Sequence, residues 1–285
     1  MTILMRWIRL LGSKIVLYGL LVLIAGFTIF PFLWMLRTSF TPPYEVFSRA
    51  IISPNMSLEG YRYILGYDEI GEGGVLRVLW NTFFVSISFT TLSVFLCALG
   101  GYGFAKYRFP GRNILFAFLL GTMMIPASVT MVPTYILILK LGWIDTYWPL
   151  IIPGAANAFG IFYMRQYIST ISGELMDAAR IDGCSEFSTF WRVIFPMCGP
   201  GLTTLGLLFF MGSWNAYLAP RLYLKTPAKW TLPLMMTLMT GPQGFTRYRE
   251  QMGVAVISVI PLLILFLILQ RRFTEGITAG ALQGQ

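Results

Sequence analysis

Apolar residues gather into six long runs, separated by polar islands of very different lengths. The runs extend from about Ile15 to Leu36, Val78 to Gly100, Ile114 to Leu139, Tyr147 to Met164, Met197 to Leu218 and Met252 to Leu269. About 20 apolar residues carry a helix across the hydrocarbon core of a bilayer. The pattern therefore predicts an all-α chain with six transmembrane helices, forming one membrane domain over residues 1–285. Prolines interrupt several runs: Pro126 and Pro133 in the third, Pro149 and Pro153 in the fourth, Pro261 in the sixth. In lipid a freed carbonyl must find a partner inside the protein, so these helices are expected to be kinked and packed on neighbours. Arg6, Arg9 and Lys14 precede the first run in the manner of a signal peptide. That run is longer than a signal h-region and has no clear A-x-A site, so a retained span is expected.

The polar island between the fourth and fifth runs, residues 174–196, has its own periodicity. Leu175, Ala178 and Ala179 are placed on one face of a short helix. Gly183 ends that helix where a left-handed residue is needed. Ser185 is suited to cap a second helix, with Glu186 in its first turn favoured by the helix dipole. Phe187, Phe190, Trp191 and Ile194 follow at helical spacing as an apolar stripe, and Pro196 marks the entry to the fifth span. A helix–turn–helix knob with a small-residue face and an aromatic face is expected. An amphipathic helix lying on the membrane would account for the stripe but not for the paired alanines and the glycine turn.

Composition agrees with a membrane chain: 56% of residues are hydrophobic and only 12% charged, and the mean hydropathy is +0.69. The net charge of +9 comes from Lys and Arg flanking the apolar runs, as topology and anionic lipid favour. No basic cluster interleaves with aromatics on a polar domain, so no nucleic-acid partner is expected. Cys97, Cys184 and Cys198 form neither a disulfide framework nor a CxxC site. Histidine is absent, which removes the commonest metal ligand and neutral-pH proton relay. No metal site and no catalytic residue are expected.

Lys and Arg divide almost equally between the two sides. Near span ends and in short loops they favour the side of the N-terminus, with Lys106, Arg108, Arg112, Arg271 and Arg272. Both termini and the 174–196 island are therefore expected in the cytoplasm. Outer loops 37–77 and 219–251 are expected to be long, the first irregular with short helices. Gly241, Gln243, Phe245 and Tyr248 stand out in the second as exposed contact-forming residues. In the tail, 271–285, residues 274–285 are small and polar and cannot alone offset their ordering entropy, so left alone they are expected to be disordered.

The island resembles the EAA loop of bacterial ABC importer permeases. That pattern reads Glu-Ala-Ala, three residues, Gly, nine residues, Ile, one residue, Leu-Pro. Here Asp177-Ala178-Ala179 is followed at the same spacing by Gly183, Val193 and Phe195-Pro196. Tyr102–Arg112, Asn81-Thr82, Met124-Ile-Pro126, Gly212–Ala216 and Gln270–Gly284 are similar to segments of the maltose-type (MalG-like) permeases. The chain departs from them at Cys184, usually Ala, at Ser172, usually Pro, and at Gln283, where relatives often carry Lys.

The resemblance implies a type I importer permease of MetI-like fold in a bacterial inner membrane. It implies a second homologous permease chain, an ATPase homodimer or heterodimer and an extracytoplasmic solute-binding protein delivering a sugar or polyol. It assigns ATPase coupling to Glu174, Asp177, Ala178, Ala179, Asp182, Gly183, Phe187, Phe190 and Pro196. It assigns an ATPase-contacting tail to Thr274, Gly276, Thr278, Gly280 and Gly284, and binding-protein contact to the 241–248 segment. ATP and Mg would bind the partner subunits, for this chain has no G-x-x-x-x-G-K-[ST]. Asn157 and Asn215, with Asn81, are the polar candidates along the spans, for a pathway or as glue between helices. A stand-alone ion-coupled carrier usually holds a charge inside the membrane, and none sits mid-span here. A membrane enzyme would need acid/base groups that the runs do not offer. A permease for a non-sugar solute stays open beside the carbohydrate reading.

Overall fold

The computed structural model describes residues 2–46, 48, 53–66, 74–239 and 247–281, and among them every regular element is helical. Among the described residues three helices are long and apolar enough to cross a membrane: residues 14–40 of α1 (Thr2–Phe40), α3 (Gly74–Lys106) and the start of α14 (Tyr248–Ala281). Two further candidates are broken. α4 (Arg112–Thr122) meets α5 (Ala127–Lys140) at 96°. The helical segment Glu186–Met197 meets α11 (Gly199–Trp214) at 79°. Pro126 caps α5 in an extended conformation, and Pro200 occupies the first turn of α11. Proline lacks an N–H and disfavours a helical predecessor, so each break falls where the sequence forbids continuity.

The expected fourth span, Tyr147–Met164, is not one helix. It divides into α6 (Trp148–Ile151) and α7 (Ala158–Ser169), separated by turns around Pro153-Gly154. Asn157 starts α7 afresh as its N-cap, accepting the Gly160 N–H at 2.8 Å. Helix α14 continues into the tail, through Ala281.

Two compact units are present. Residues 1–66 and 238–259 form one of them. In it, the Arg37 guanidinium lies over Trp34 and donates to Ser48 Oγ at 2.9 Å. Arg249 pairs with buried Glu250 at 2.9 Å and reaches Glu59 of α2 (Glu59–Leu65) at 3.4 Å.

Residues 67–237 and 260–285 form the other unit. Its centre is α3, which packs along α7 and α11. The core joins Cys97, Ala98 and Tyr102 of α3, Ile161, Met164 and Ile168 of α7, and Leu205 of α11. Met176, Phe190 and Ile194 from the polar island enter the same core. The helices approach closely because the contact is glycine-lined: a Cβ on Gly101 would lie 2.6 Å from Met164 Cβ, and one on Gly160 2.5 Å from Cys97 Sγ.

Candidate functional site

The 174–196 island folds as the helix–turn–helix that its periodicity predicts. Helix α8 (Glu174–Ile181) ends at Asp182, and Gly183 follows with φ +79°. The Gly183 N–H donates to Arg180 O at 3.0 Å and the Cys184 N–H to Ala179 O at 2.9 Å. These two bonds form the Schellman arrangement that satisfies the last carbonyls of a helix. Ser185 then caps α9 (Glu186–Thr189), its side chain accepting the Ser188 N–H at 3.3 Å. A π-helical turn, Phe190–Ile194, follows before a short α10 (Phe195–Met197).

The faces differ from those expected. Ala178 is exposed while Ala179 is buried beside Met176, so the two alanines do not share one face of α8. The aromatic stripe divides as well. Phe190 and Ile194 are buried in the core, whereas Phe187 is 64% and Trp191 50% exposed. A helix of eight residues has room for one inward row, and Met176 and Ala179 fill it. Leu175, Ile181 and Phe187 are the exposed apolar side chains of the knob, with Ile181 at 86% exposure, while half-exposed Trp191 lies edge-on to Phe95 of α3. Glu174, Asp177, Asp182 and Pro196 are exposed around them.

The knob is tied to the end of α3. Lys106 donates to Ile171 O, and the Tyr107 hydroxyl donates to Glu186. Arg180 bridges the two arms, bonding Glu186 at 3.0 Å and Asp177 at 3.1 Å. Behind them, Tyr102 and Phe190 rings lie 5.2 Å apart and Trp191 stacks on Phe195 at 5.0 Å. Force applied to the exposed face would thus reach α3 and α11 through packed rings rather than through a slack loop. The sequence reading missed Tyr107, Arg180 and Glu186 as a connected set. Their only signal was a tyrosine and two charges on islands far apart in the chain.

The other predicted residues fall elsewhere. Gly241, Gln243, Phe245 and Gly284 lie outside the described residues. Tyr248 opens α14 and is partly exposed. Thr274, Gly276, Thr278 and Gly280 lie on the helical extension of α14. Asn157 caps α7, and Asn215 follows α11 with its amide donating to Met211 O at 2.8 Å. The structure does not bring these two amides together as a pair. Asn81 donates to both Ala228 O at 2.9 Å and Trp230 O at 3.0 Å, fastening α3 to the segment after α12 (Leu218–Tyr223).

A second fastening was not anticipated. Asp145 has φ +60° and accepts the Lys225 and Thr226 N–H groups, each at 2.9 Å, and the Thr226 hydroxyl at 2.6 Å. Lys229 pairs with the same carboxylate at 3.0 Å. Burial opposes the charge, but bonds from Thr226, Lys225 and Lys229 outweigh it and hold the carboxyl well below the usual carboxylate range. A carboxyl depressed in the fold contributes stability above its unfolded value of about 3.9, and that contribution is lost as pH falls through the folded value. Asp145→Asn is therefore expected to melt earlier than the parent at pH 7, with the gap shrinking below about pH 4. Thermal melts of the purified chain at pH 7 and pH 3 check this. A gap of the same size at both would mean that the carboxylate charge contributes nothing.

Comparison with known proteins sets this geometry in context. Residues 75–278 match the model of a family described as binding-protein-dependent transport system inner membrane component. The chain is 34% identical over 267 residues to the arabinooligosaccharides transport system permease protein AraQ of Halalkalibacterium halodurans, covering 92% of this chain and 93% of the relative. It is 29% identical to the trehalose/maltose transport system permease protein MalG of Thermococcus litoralis, over 93% and 95% of the two chains. Among solved structures it is similar, with TM-score 0.80 and 25% identity over 93% of its length and 97% of the other chain, to a bacterial ABC transporter involved in the import of the acidic polysaccharide alginate.

Proposed function

The chain belongs to the family of binding-protein-dependent transport system inner membrane components, and from that premise we propose that it is one permease subunit of an ATP-driven carbohydrate importer. It forms half of the translocation pathway and makes no covalent change in its substrate. The segments cross the inner membrane six times, with α6–α7 as one broken crossing and both termini in the cytoplasm. ATP and Mg bind to an ATPase dimer, a second homologous permease completes the pathway, and an extracytoplasmic solute-binding protein delivers the sugar. Asn157 and Asn215 are the amides closest in character to pathway groups. The 241–248 segment, with Gly241, Gln243, Phe245 and Tyr248, meets the binding protein. The tail residues Thr274, Gly276, Thr278, Gly280 and Gly284 meet the ATPase.

The observation that carries the reading is the 174–196 knob. It exposes Leu175, Ile181 and Phe187, while its inward face is built into the core of α3, α7 and α11. Nucleotide-driven closure of the ATPase dimer would push this knob and rock the helices as rigid bodies, the general form of alternating access. Purification of the tagged chain in mild detergent is expected to bring down a second, non-identical permease and two ATPase subunits. Native mass spectrometry of that preparation is the check. Homo-oligomers of this chain alone would overturn the reading.

A further inference from the structure

We propose that a groove between α5 and α12 recognises a carboxylate-bearing sugar, so that the transported carbohydrate is acidic. The inference rests on the carbohydrate-importer reading and narrows it. The groove has a volume of about 490 Å³ and is lined by Met131, Val132 and Tyr135 on α5 and by Arg221, Leu222 and Lys225 on and just beyond α12. Arg221 and Lys225 are exposed, and among the described residues neither has an acidic partner. Asp145 takes the backbone N–H of Lys225, but its charge is paired with Lys229 instead. Two uncompensated cations therefore flank one wall.

The opposite wall is apolar and includes Tyr135, whose ring stacks on Tyr223 with centroids 6.1 Å apart and planes 13° apart. A flat apolar wall with a few convergent polar groups is the usual make-up of a small-molecule site. Guanidinium and ammonium together suit a carboxylate, the guanidinium through two parallel hydrogen bonds. The groove is also held in shape. The Asp145 N–H donates to Tyr223 O at 2.8 Å, and the carboxylate holds the backbone at Lys225 and Thr226. Asp145 adopts the left-handed region, which aspartate tolerates better than most residues, and its bonds keep it there. A phospholipid phosphate would also meet the cations. Its acyl chains would suit Met131, Val132 and Leu222, while a small rigid ring gains from the stacked tyrosine and the pinned backbone through preorganisation.

The test uses the assembled importer in phosphatidylcholine nanodiscs without its binding protein, titrated by equilibrium dialysis with trigalacturonate and, separately, with maltotriose. Trigalacturonate is expected to bind the parent, and R221Q/K225Q to bind it roughly tenfold or more weakly, the scale of one lost hydrogen bond to a charged group. The charge-preserving R221K/K225R should retain most of the affinity, which separates lost charge from misfolding. Equal trigalacturonate binding by parent and R221Q/K225Q overturns the proposal. So does loss of tightly held phosphatidylglycerol from R221Q/K225Q in discs containing that lipid, if trigalacturonate does not compete for it. Binding of maltotriose but not trigalacturonate would overturn the acidic assignment and leave the carbohydrate reading standing. Failure of both sugars to bind the parent would likewise overturn the assignment of this groove.

Discussion

Gly183→Pro is expected to abolish uptake and the stimulation of ATPase activity by loaded binding protein, while the chain still inserts and assembles. Gly183 has φ +79°, and proline is locked near −65°. The substitution also removes the N–H that donates to Arg180 O at 3.0 Å. Both features of the Schellman turn fail together, so α8 and α9 must change their relative direction. That displaces the exposed Leu175 and Ile181 of α8 relative to Phe187 of α9. No side chain blocks the position, because a Cβ there would meet nothing within 4 Å. The effect is thus one of backbone conformation, and substitutions should grade accordingly. Gly183→Asn, which tolerates the left-handed region, should retain most activity. Gly183→Ala should cost about 1–2 kcal/mol at the turn and give partial coupling. Uptake and stimulated ATPase activity in proteoliposomes decide the matter. Full activity in the proline variant would mean that this turn does not transmit the motion.

Gly101→Val is expected to prevent stable folding. Even a single added carbon would stand 2.6 Å from Met164 Cβ and 2.8 Å from Arg165 N. The obstruction includes backbone, so no side-chain rotation relieves it, and α3 must move away from α7. Overpacking of a filled core typically costs about 1–3 kcal/mol, and backbone separation lies at the upper end or beyond. Gly103, two residues along the same helix, has nothing within 4 Å of an added Cβ. Gly103→Ala should therefore melt at or slightly above the parent temperature, since alanine is the better helix former. Fluorescence-detected size exclusion across a temperature series measures both. A Gly101→Val chain with the parent's melting temperature would show that the two helices are not held at this distance.

Much of this was legible in the sequence, for identifiable reasons. Long runs such as Ile15–Leu36 and Val78–Gly100 have one stable solution in lipid, and each lies within a single helix. The turn at Gly183 and the cap at Ser185 depend on local chemistry and are where the residues place them, whereas the break before the fifth span falls at Cys198, ahead of Pro200, and not at Pro196, which lies within α10. The fourth run misled because Tyr147–Met164 is apolar apart from Asn157, and composition alone does not say whether Pro153-Gly154 bends a helix or ends it. The alanine pair misled for another reason. Adjacent residues on a helix are about 100° apart, and only the position of α3 and α7 decides which of Ala178 and Ala179 turns inward. The Asp145 fastening joins residues some 80 positions apart, and no local pattern announces such a pair. The π-helical turn at Phe190–Ile194 likewise leaves no periodic trace in five residues.

The three thiols occupy unequal environments. Cys97 and Cys198 are enclosed in the core, whereas Cys184 follows Gly183 on the turn itself and is partly open to solvent. The unmodified chain therefore carries its own labelling site at the element proposed to meet the ATPase. A bulky maleimide offered to the folded protein would react at one address, and docking of a partner over the turn would shield it. Coupling could be followed as a rate of alkylation, in native membranes, without first building a cysteine-free background.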